Sequence, residues 1–343
     1  MRAGDFGLTV GSTPSGAGNT IGDVPGVLVG HATLSCGAVQ TGVTAILPNA
    51  GNLFQDKPIA AGYVLNGFGK STGLVQVNEL GTLETPILLT NTFGVGTCAN
   101  ALIRHAIAAN PTIGRETSTV NPVVLECNDG YLNDIQAMAV TEAHADAAIA
   151  GASADVAVGA VGAGTGMSCF GLKGGIGSAS RQIRIDRRVY HLGALVLTNF
   201  GRPGDLRLPD GRRIDPRGAP SVEMGSCIVV LATDIPLDHR QLGRVARRAG
   251  VGLAWSGSFW GNGSGDIALA FTTANTMPHA NKPHFAAHRV LNEARIDALF
   301  QAAAETTYEA VLDALVAAPT TVGRNGNVRT GLASLLKTPA YAP

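Results

Sequence analysis

Short, nearly unbroken apolar runs recur from one end of the chain to the other: GVLVGHA, TAILP, TPILLTN, NPVVLE, LGALVLTN, CIVVLATD and DIALAFTT. Runs of this length, rich in Val, Ile and Leu and bounded by Gly, Pro, Asn or Asp, predict buried strands. Between them lie Ala- and Leu-rich segments of helical character at 97–109, 132–151, 236–250 and 284–317. The pattern predicts a mixed α/β (α+β) chain built as one sheet-based domain over 1–343.

Two local signals sharpen this reading. Pro236 after Asp234 suits a helix start and Gly250 a helix end, so the strand 227–234 feeds directly into a helix and Ser226 stands at the strand's head. The segment 201–225, GRPGDLRLPDGRRIDPRGAPSVEMG, has no apolar period of either kind and predicts an exposed connection that ends on Gly-Ser. A connection this long inside a compact domain points to function or disorder.

Composition narrows the classes. Lys plus Arg and Asp plus Glu balance at 25 each, and charged residues make up 15% of 343, which leaves no general pull toward nucleic acid or an anionic membrane surface. The first residues lack an apolar signal core and no later stretch is an uninterrupted span, so a cytoplasmic, unexported protein is expected. Five widely spaced cysteines without a CxxC are expected to be buried reduced thiols.

The chemistry concentrates at Gly225-Ser226. A serine hydroxyl needs a base beside it, and the α-amine of an amino-terminal serine can supply one, with an ordinary pKa of about 7.7–8.0. Cleavage before Ser226 would create that arrangement, and before cleavage the same hydroxyl could attack the Gly225 carbonyl. The dipeptide alone is also what an ordinary loop end looks like. Ser264 and Asp266, in GNGSGDIALAFTTAN, lie two apart at the head of another strand and so share one face, from which they could orient the new amine and hydroxyl. An ordinary tight turn would read the same way.

The segments GDVPGVLVGHATL, ETPILLTNTFGVGT, ECNDGYLNDI, AVGAGTGMSCFGLKGGIGSASR, LVLTNFG, GSCIVVLATDIPL and GSGDIALAFTTAN resemble the L-aminopeptidase/D-esterase and β-peptidyl aminopeptidase family of N-terminal-nucleophile hydrolases across nearly the whole chain. The resemblance implies a four-layer αββα sandwich of the kind shared with ornithine acetyltransferases. It also implies self-cleavage into an α fragment 1–225 and a β fragment 226–343, without a metal or cofactor.

Carried over, it makes Ser226 the nucleophile, Ser264 and Asp266 the supporting pair behind it, Asn199 the side-chain donor to the oxyanion, and Glu126 the holder of the substrate's free amino group. Some members have Glu where Asp266 stands. Asn128 and Tyr131 receive no assigned part, while Lys70 and the tryptophans Trp255 and Trp260 are expected to bear on the pocket. The implied substrates are short peptides or amino-acid amides and esters, and the implied assembly is a homo-oligomer, a tetramer of processed pairs.

Other patterns compete. Gly69-Lys70-Ser71-Thr72-Gly73 satisfies G-x-S-x-G, but VQVNELG is a poor helix start for a nucleophile elbow. The same stretch fails the phosphate-loop spacing because Val64 stands where Gly is needed. Met167 likewise breaks a G-x-G-x-x-G after Gly162 and Gly164, so Gly162, Gly164 and Gly166 predict close packing. His284 and His288 are four apart on an expected helix near His279, with no partner motif for a metal. An acyltransferase on the same fold, using an amine instead of water, and an uncut, non-enzymatic assembly protein remain alternatives at this point.

Overall fold

The computed structural model describes residues 1–216, 225–280, 284–338 and 341. Along the chain, strands β1 (Leu28–Cys36), β2 (Val39–Leu47) and β3 (Asp56–Gly67) precede helix α1 (Leu74–Leu80). Strand β4 (Ile87–Asn91), helix α2 (Val95–Ala109), strand β5 (Val123–Cys127) and helix α3 (Glu142–Ala150) follow. The second half carries β6 (Ile176–Ile185), β7 (Arg188–Asn199), β8 (Ser226–Thr233), α4 (His239–Ser256), β9 (Gly265–Pro278) and α5 (Asp297–Ala317).

These strands form two main sheets, one ordered β1-β2-β4-β5 and the other β3-β9-β8-β7-β6. The sheets face each other through Ile46, Leu89 and Leu125 on one side and Leu197, Ile228 and Leu269 on the other. Helices α2 and α3 cover the outer face of the smaller sheet through Leu102 and Ala148, while α4 and α5 cover the larger through Leu242, Leu253 and Val311. The result is four layers, αββα, as the resemblance implies.

Strand β8 shows why its sequence reads as a continuous apolar run. All eight residues are buried, because Ile228, Val230 and Ala232 enter the inter-sheet core while Cys227, Val229 and Leu231 enter the core under the helices. A strand covered on both faces cannot alternate apolar with polar. The outer strand β1 is covered less and leaves its last residues exposed.

Several predicted elements shift. Helix α4 runs past Gly250 and closes at Gly257 in the left-handed conformation (φ 110°), with Asp238 as its cap accepting from the Gln241 N–H, worth about 1 kcal/mol. The mid-helix glycines serve packing instead: a Cβ on Gly252 would lie 2.4 Å from the Ala304 carbonyl oxygen of α5. The predicted 284–317 helix forms only over Asp297–Ala317, and 132–151 only over Glu142–Ala150. VQVNELG does form most of a helix, α1, entered from Gly73 at φ 92°.

Strand β6 escaped the pattern because its buried polar residues interrupt the apolar run. Arg181 is buried between Glu305 and Glu309 at 3.1 and 2.6 Å, and Ser178 donates to the Ala194 carbonyl at 2.7 Å. Buried polar groups satisfied this way are tolerated in a core. The predicted exposed connection is also partly core: Leu206–Arg207 pairs with Arg213–Ile214, and Leu206, Leu208 and Ile214 are buried. Its residues 217–224 lie outside the described residues. Of the cysteines, Cys36 is exposed and the other four are buried, all free thiols.

Candidate active site

Ser226 opens strand β8, between β7 and β9. It is paired with Asn199 across the antiparallel β7 and with Gly265 across the parallel β9. Paired residues project to the same face, so Ser226 and Asn199 both point into the inter-sheet side of the larger sheet. The Ser226 hydroxyl donates to the Gly225 carbonyl oxygen at 2.8 Å, and that oxygen also accepts the Gly265 N–H at 3.1 Å. Two donors therefore converge on the carbonyl of the Gly225-Ser226 bond.

Glycine at 225 is a steric requirement. A Cβ there would lie 2.1 Å from the Asn199 carbonyl oxygen and 2.8 Å from the Phe200 Cα, backbone atoms at the end of β7 and one residue past it. The close approach that leaves no room for a side chain is the same one that holds Ser226 opposite Asn199.

Asn199 is buried and its amide is fixed at both ends: Oδ1 accepts the Ser168 N–H at 2.9 Å and Nδ2 donates to the Asn128 carbonyl at 2.9 Å. These bonds set which end is the donor and leave Nδ2 a second hydrogen. The loop supplying the Ser168 N–H is itself tied by Lys173, fully buried, whose Nζ donates to the carbonyls of Gly164, Met167 and Gly174 at 2.9, 3.1 and 2.7 Å. Burial pushes the Lys173 pKa down to about 7, with the Asp129 charge acting against it. Asp129, also buried, is pushed up to about 6 because desolvation outweighs its hydrogen bonds from Thr41, Asn133 and Asn91.

Glu126 ends strand β5 on the facing sheet. Its Oε1 accepts the Lys70 N–H at 2.8 Å, its Oε2 accepts from the Thr92 hydroxyl at 2.5 Å, and it is 2% exposed. Ser71, the serine of G-x-S-x-G, accepts the Glu126 N–H at 3.2 Å. It therefore belongs to the loop that holds Glu126, three residues ahead of α1, and not to a strand-to-helix elbow.

Ser264 and Asp266 are both fully buried beside the head of β9. Asp266 is the register partner of Cys227, so it projects to the helix side of the sheet, opposite the Ser226 side chain. The shared face expected for the pair is thus the one behind strand β8, and the pair does not meet the Ser226 hydroxyl from the inter-sheet side. Among the described residues, the Ser264 hydroxyl has no hydrogen-bond partner.

Glu126, Asn199, Gly225 and Ser226 line one cavity of about 630 Å³, together with Lys70, Asn128 and Tyr131. Trp255 and Trp260, expected to shape this pocket, instead line a separate surface cavity with Tyr63 and Arg247. The cavity also receives Thr92, Ser168, Arg324 and Arg329, which sequence reasoning missed. These residues converge from different elements, and only the TNTFG and MSCFG segments of the resemblance lay near two of them.

Neighbouring decoys resolve. Burial pushes the thiols of Cys127 and Cys227 well above their ordinary range, so neither offers a thiolate beside Ser226. His284 and His288 lie in an irregular segment and not on a helix, and the His279 ring packs against Phe54 with centroids 4.4 Å apart. Gly162, Gly164 and Gly166 pack closely as expected; a Cβ on Gly166 would lie 2.0 Å from the Gln40 carbonyl oxygen.

A four-layer αββα sandwich with a buried serine at the head of a central strand is the arrangement of the N-terminal-nucleophile hydrolase fold. Residues 19–329 match peptidase family S58, and the chain belongs to that family: it is a serine aminopeptidase. It is 38% identical to the β-peptidyl aminopeptidase BapA of Sphingosinicella microcystinivorans over 95% of this chain and 88% of that one.

Among solved structures it superimposes on the PH0078 protein of Pyrococcus horikoshii OT3 with a TM-score of 0.94 at 47% identity, covering 98% of both chains. It superimposes on the L-aminopeptidase D-Ala-esterase/amidase of Ochrobactrum anthropi with a TM-score of 0.90 at 35% identity, again over 98% of both. That protein is described as a prototype of the serine aminopeptidases and a variant of the N-terminal-nucleophile hydrolase fold. Among the described residues, no helix is long and apolar enough to cross a membrane. The non-enzymatic alternative falls with this membership.

Proposed function

We propose that the chain matures by cutting itself between Gly225 and Ser226 and that the freed Ser226 then removes amino-terminal residues from short peptides, amides or esters. The observation that carries this reading is the Gly225 carbonyl oxygen held at once by the Ser226 hydroxyl and the Gly265 N–H. Attack of Ser226 Oγ on the Gly225 carbonyl carbon forms an ester as the peptide C–N bond breaks and the nitrogen takes the hydroxyl proton. The Gly265 N–H stabilises the charge that builds on the carbonyl oxygen during this step. Water then hydrolyses the ester, leaving Gly225 as a new carboxylate and Ser226 with a free α-amine.

In the mature form, 1–225 and 226–343 remain associated because β8 and β9 of the second fragment are paired with β3 and β7 of the first in one sheet. The α-amine acts as base for the Ser226 hydroxyl, and the hydroxyl oxygen takes the acyl group of the substrate while the amine product leaves with the proton. Asn199 directs its remaining Nδ2 hydrogen toward the developing oxyanion. Glu126, buried and fixed by Lys70 and Thr92, receives the substrate's ammonium, which makes the site one for free amino termini. Ser264 and Asp266, behind the strand, act on the backbone end of Ser226, where the new amine forms. Water resolves the ester. The proposal extends to a homotetramer of processed pairs working in the cytoplasm, in keeping with four buried free thiols.

Intact mass under denaturing conditions tests the central claim. The expected result is two fragments, the smaller beginning Ser-Cys-Ile-Val-Val, and a single inactive chain for Ser226→Ala. A wild-type chain that is active at its full 35.0 kDa, or a Ser226→Ala chain that is still cut, overturns it.

A further inference from the structure

The segment 323–329 wraps the loop that follows β5. The Arg324 N–H donates to the Leu132 carbonyl at 2.8 Å, Arg324 Nε to the Gly130 carbonyl at 2.7 Å, and Asn327 Nδ2 to the Tyr131 carbonyl at 2.8 Å. This clasp brings Arg324 and Arg329 into the wall of the cavity that also holds Ser226 and Glu126. The Arg329 guanidinium lies 3.6 Å from the centroid of the Tyr131 ring, and its Nε is buried without an acceptor among the described residues.

Among the described residues, no carboxylate pairs with Arg324, Arg329 or Lys70, the cations that line the cavity. Burial lowers the Arg329 pKa from its ordinary value, with the Tyr131 phenol acting against it. A charge left in this state is an expectant partner: a bound carboxylate would recover the lost solvation through charge-assisted hydrogen bonds from a planar fork. Stacking on the Tyr131 ring orients that planar fork.

We infer that Arg329, held over Tyr131 and backed by Arg324, is a carboxylate-binding subsite of the cavity, so that the enzyme prefers short zwitterionic peptides with a free carboxylate on the leaving side. This rests on the proposed role of Glu126 at the other pole, where the ammonium sits. A site with one anionic and one cationic pole fits a dipeptide better than an amino-acid amide or a long chain.

The test compares Ala-Ala, Ala-Ala amide and Ala-Asp amide as substrates of the processed enzyme, with alanine p-nitroanilide measured alongside. Uncleavable reduced-bond Ala-Ala and its amide are titrated calorimetrically in parallel. The expected result is a preference of about ten-fold or more in kcat/KM and in affinity for the free acid, the scale of one hydrogen bond to a charged group.

That ratio should fall toward one in Arg329→Gln and be partly regained in Arg329→Lys. A gain for Ala-Asp amide alone, with Ala-Ala and its amide handled alike, overturns the preference for a terminal carboxylate. Equal handling of acid and amide by the wild-type enzyme, or a ratio that survives Arg329→Gln, overturns the inference. Turnover of the p-nitroanilide in that case leaves the aminopeptidase reading standing, whereas failure to turn over any of these substrates counts against that reading itself.

Discussion

Ser226 and Asn199 are register partners on adjacent antiparallel strands, so their side chains leave the larger sheet on the same face and at the same level. The pairing has a mechanistic consequence that spacing along the chain does not show: a hydroxyl and an amide donor are placed side by side by the sheet itself. Asp266, one strand over, is paired with Cys227 and faces the other way.

Asn199→Ala should lower kcat by about 10²–10³ with a smaller change in KM, since the loss is of a donor to charge that exists only in the transition state. Steady-state kinetics on an aminoacyl p-nitroanilide measure the split. An effect confined to KM would place Asn199 in ground-state binding instead.

Gly225→Ala should both destabilise the uncut chain and slow its cleavage. The added methyl meets backbone atoms at 2.1 and 2.8 Å, which cannot rotate away, and overpacking of this kind costs about 1–3 kcal/mol. Denaturant midpoints of Gly225→Ala in a Ser226→Ala background, against Ser226→Ala alone, read the first effect, and the appearance of the Ser226 fragment over time reads the second. Cleavage at the wild-type rate would show that the close approach of Gly225 to Asn199 is not needed for the reaction.

Glu126→Gln should raise KM at least about ten-fold for substrates with a free amino group, by removing the charge that faces an ammonium. Self-cleavage, which involves no substrate ammonium, should proceed as before. Amino-terminal acetylation of the substrate should abolish turnover by the wild-type enzyme; acetylated substrate turned over as fast as free substrate would make the enzyme a general amidase.

Asp129 carries a pH signature. Its carboxyl is raised to about 6 in the folded chain from an ordinary 3.8, so the folded state binds the proton more tightly than the unfolded state does. Its contribution to stability is therefore present below about pH 4 and is lost as pH rises through about 6, a difference of roughly 3 kcal/mol. Asp129→Asn, which cannot ionise, should gain on the wild type by an amount of that order between pH 4 and pH 7. Urea midpoints at the two pH values check it, and parallel curves for the two proteins would mean that Asp129 titrates at its ordinary pKa.

Much of the sheet framework was legible because strands covered on both faces must be apolar throughout, as β4, β5, β8 and the front of β9 are. Strand β6 was not, because Ser178, Ser180 and Arg181 are buried there against Ile21, Asp23 and Glu305, far away in sequence, and nothing local distinguishes a satisfied buried arginine from a solvated one. The 201–225 segment misled for a related reason: Leu206, Leu208 and Ile214 are too few and too spaced to show a period, yet each finds a place in the core.

The sequence by itself determined the class of chemistry, through Gly225-Ser226 at the head of an apolar run and a family likeness spread along the chain. It determined Asn199 and Glu126 as residues of interest, and the cavity brings both to Ser226. Only the tertiary structure decided which face each side chain takes, placing Asp266 behind the strand and turning Ser71 into a support for Glu126. Only it brought Arg324 and Arg329, from the far end of the chain, to the cavity of Ser226. The physical reason is that strand pairing and loop clasping join residues whose separation along the chain carries no information about their distance in space.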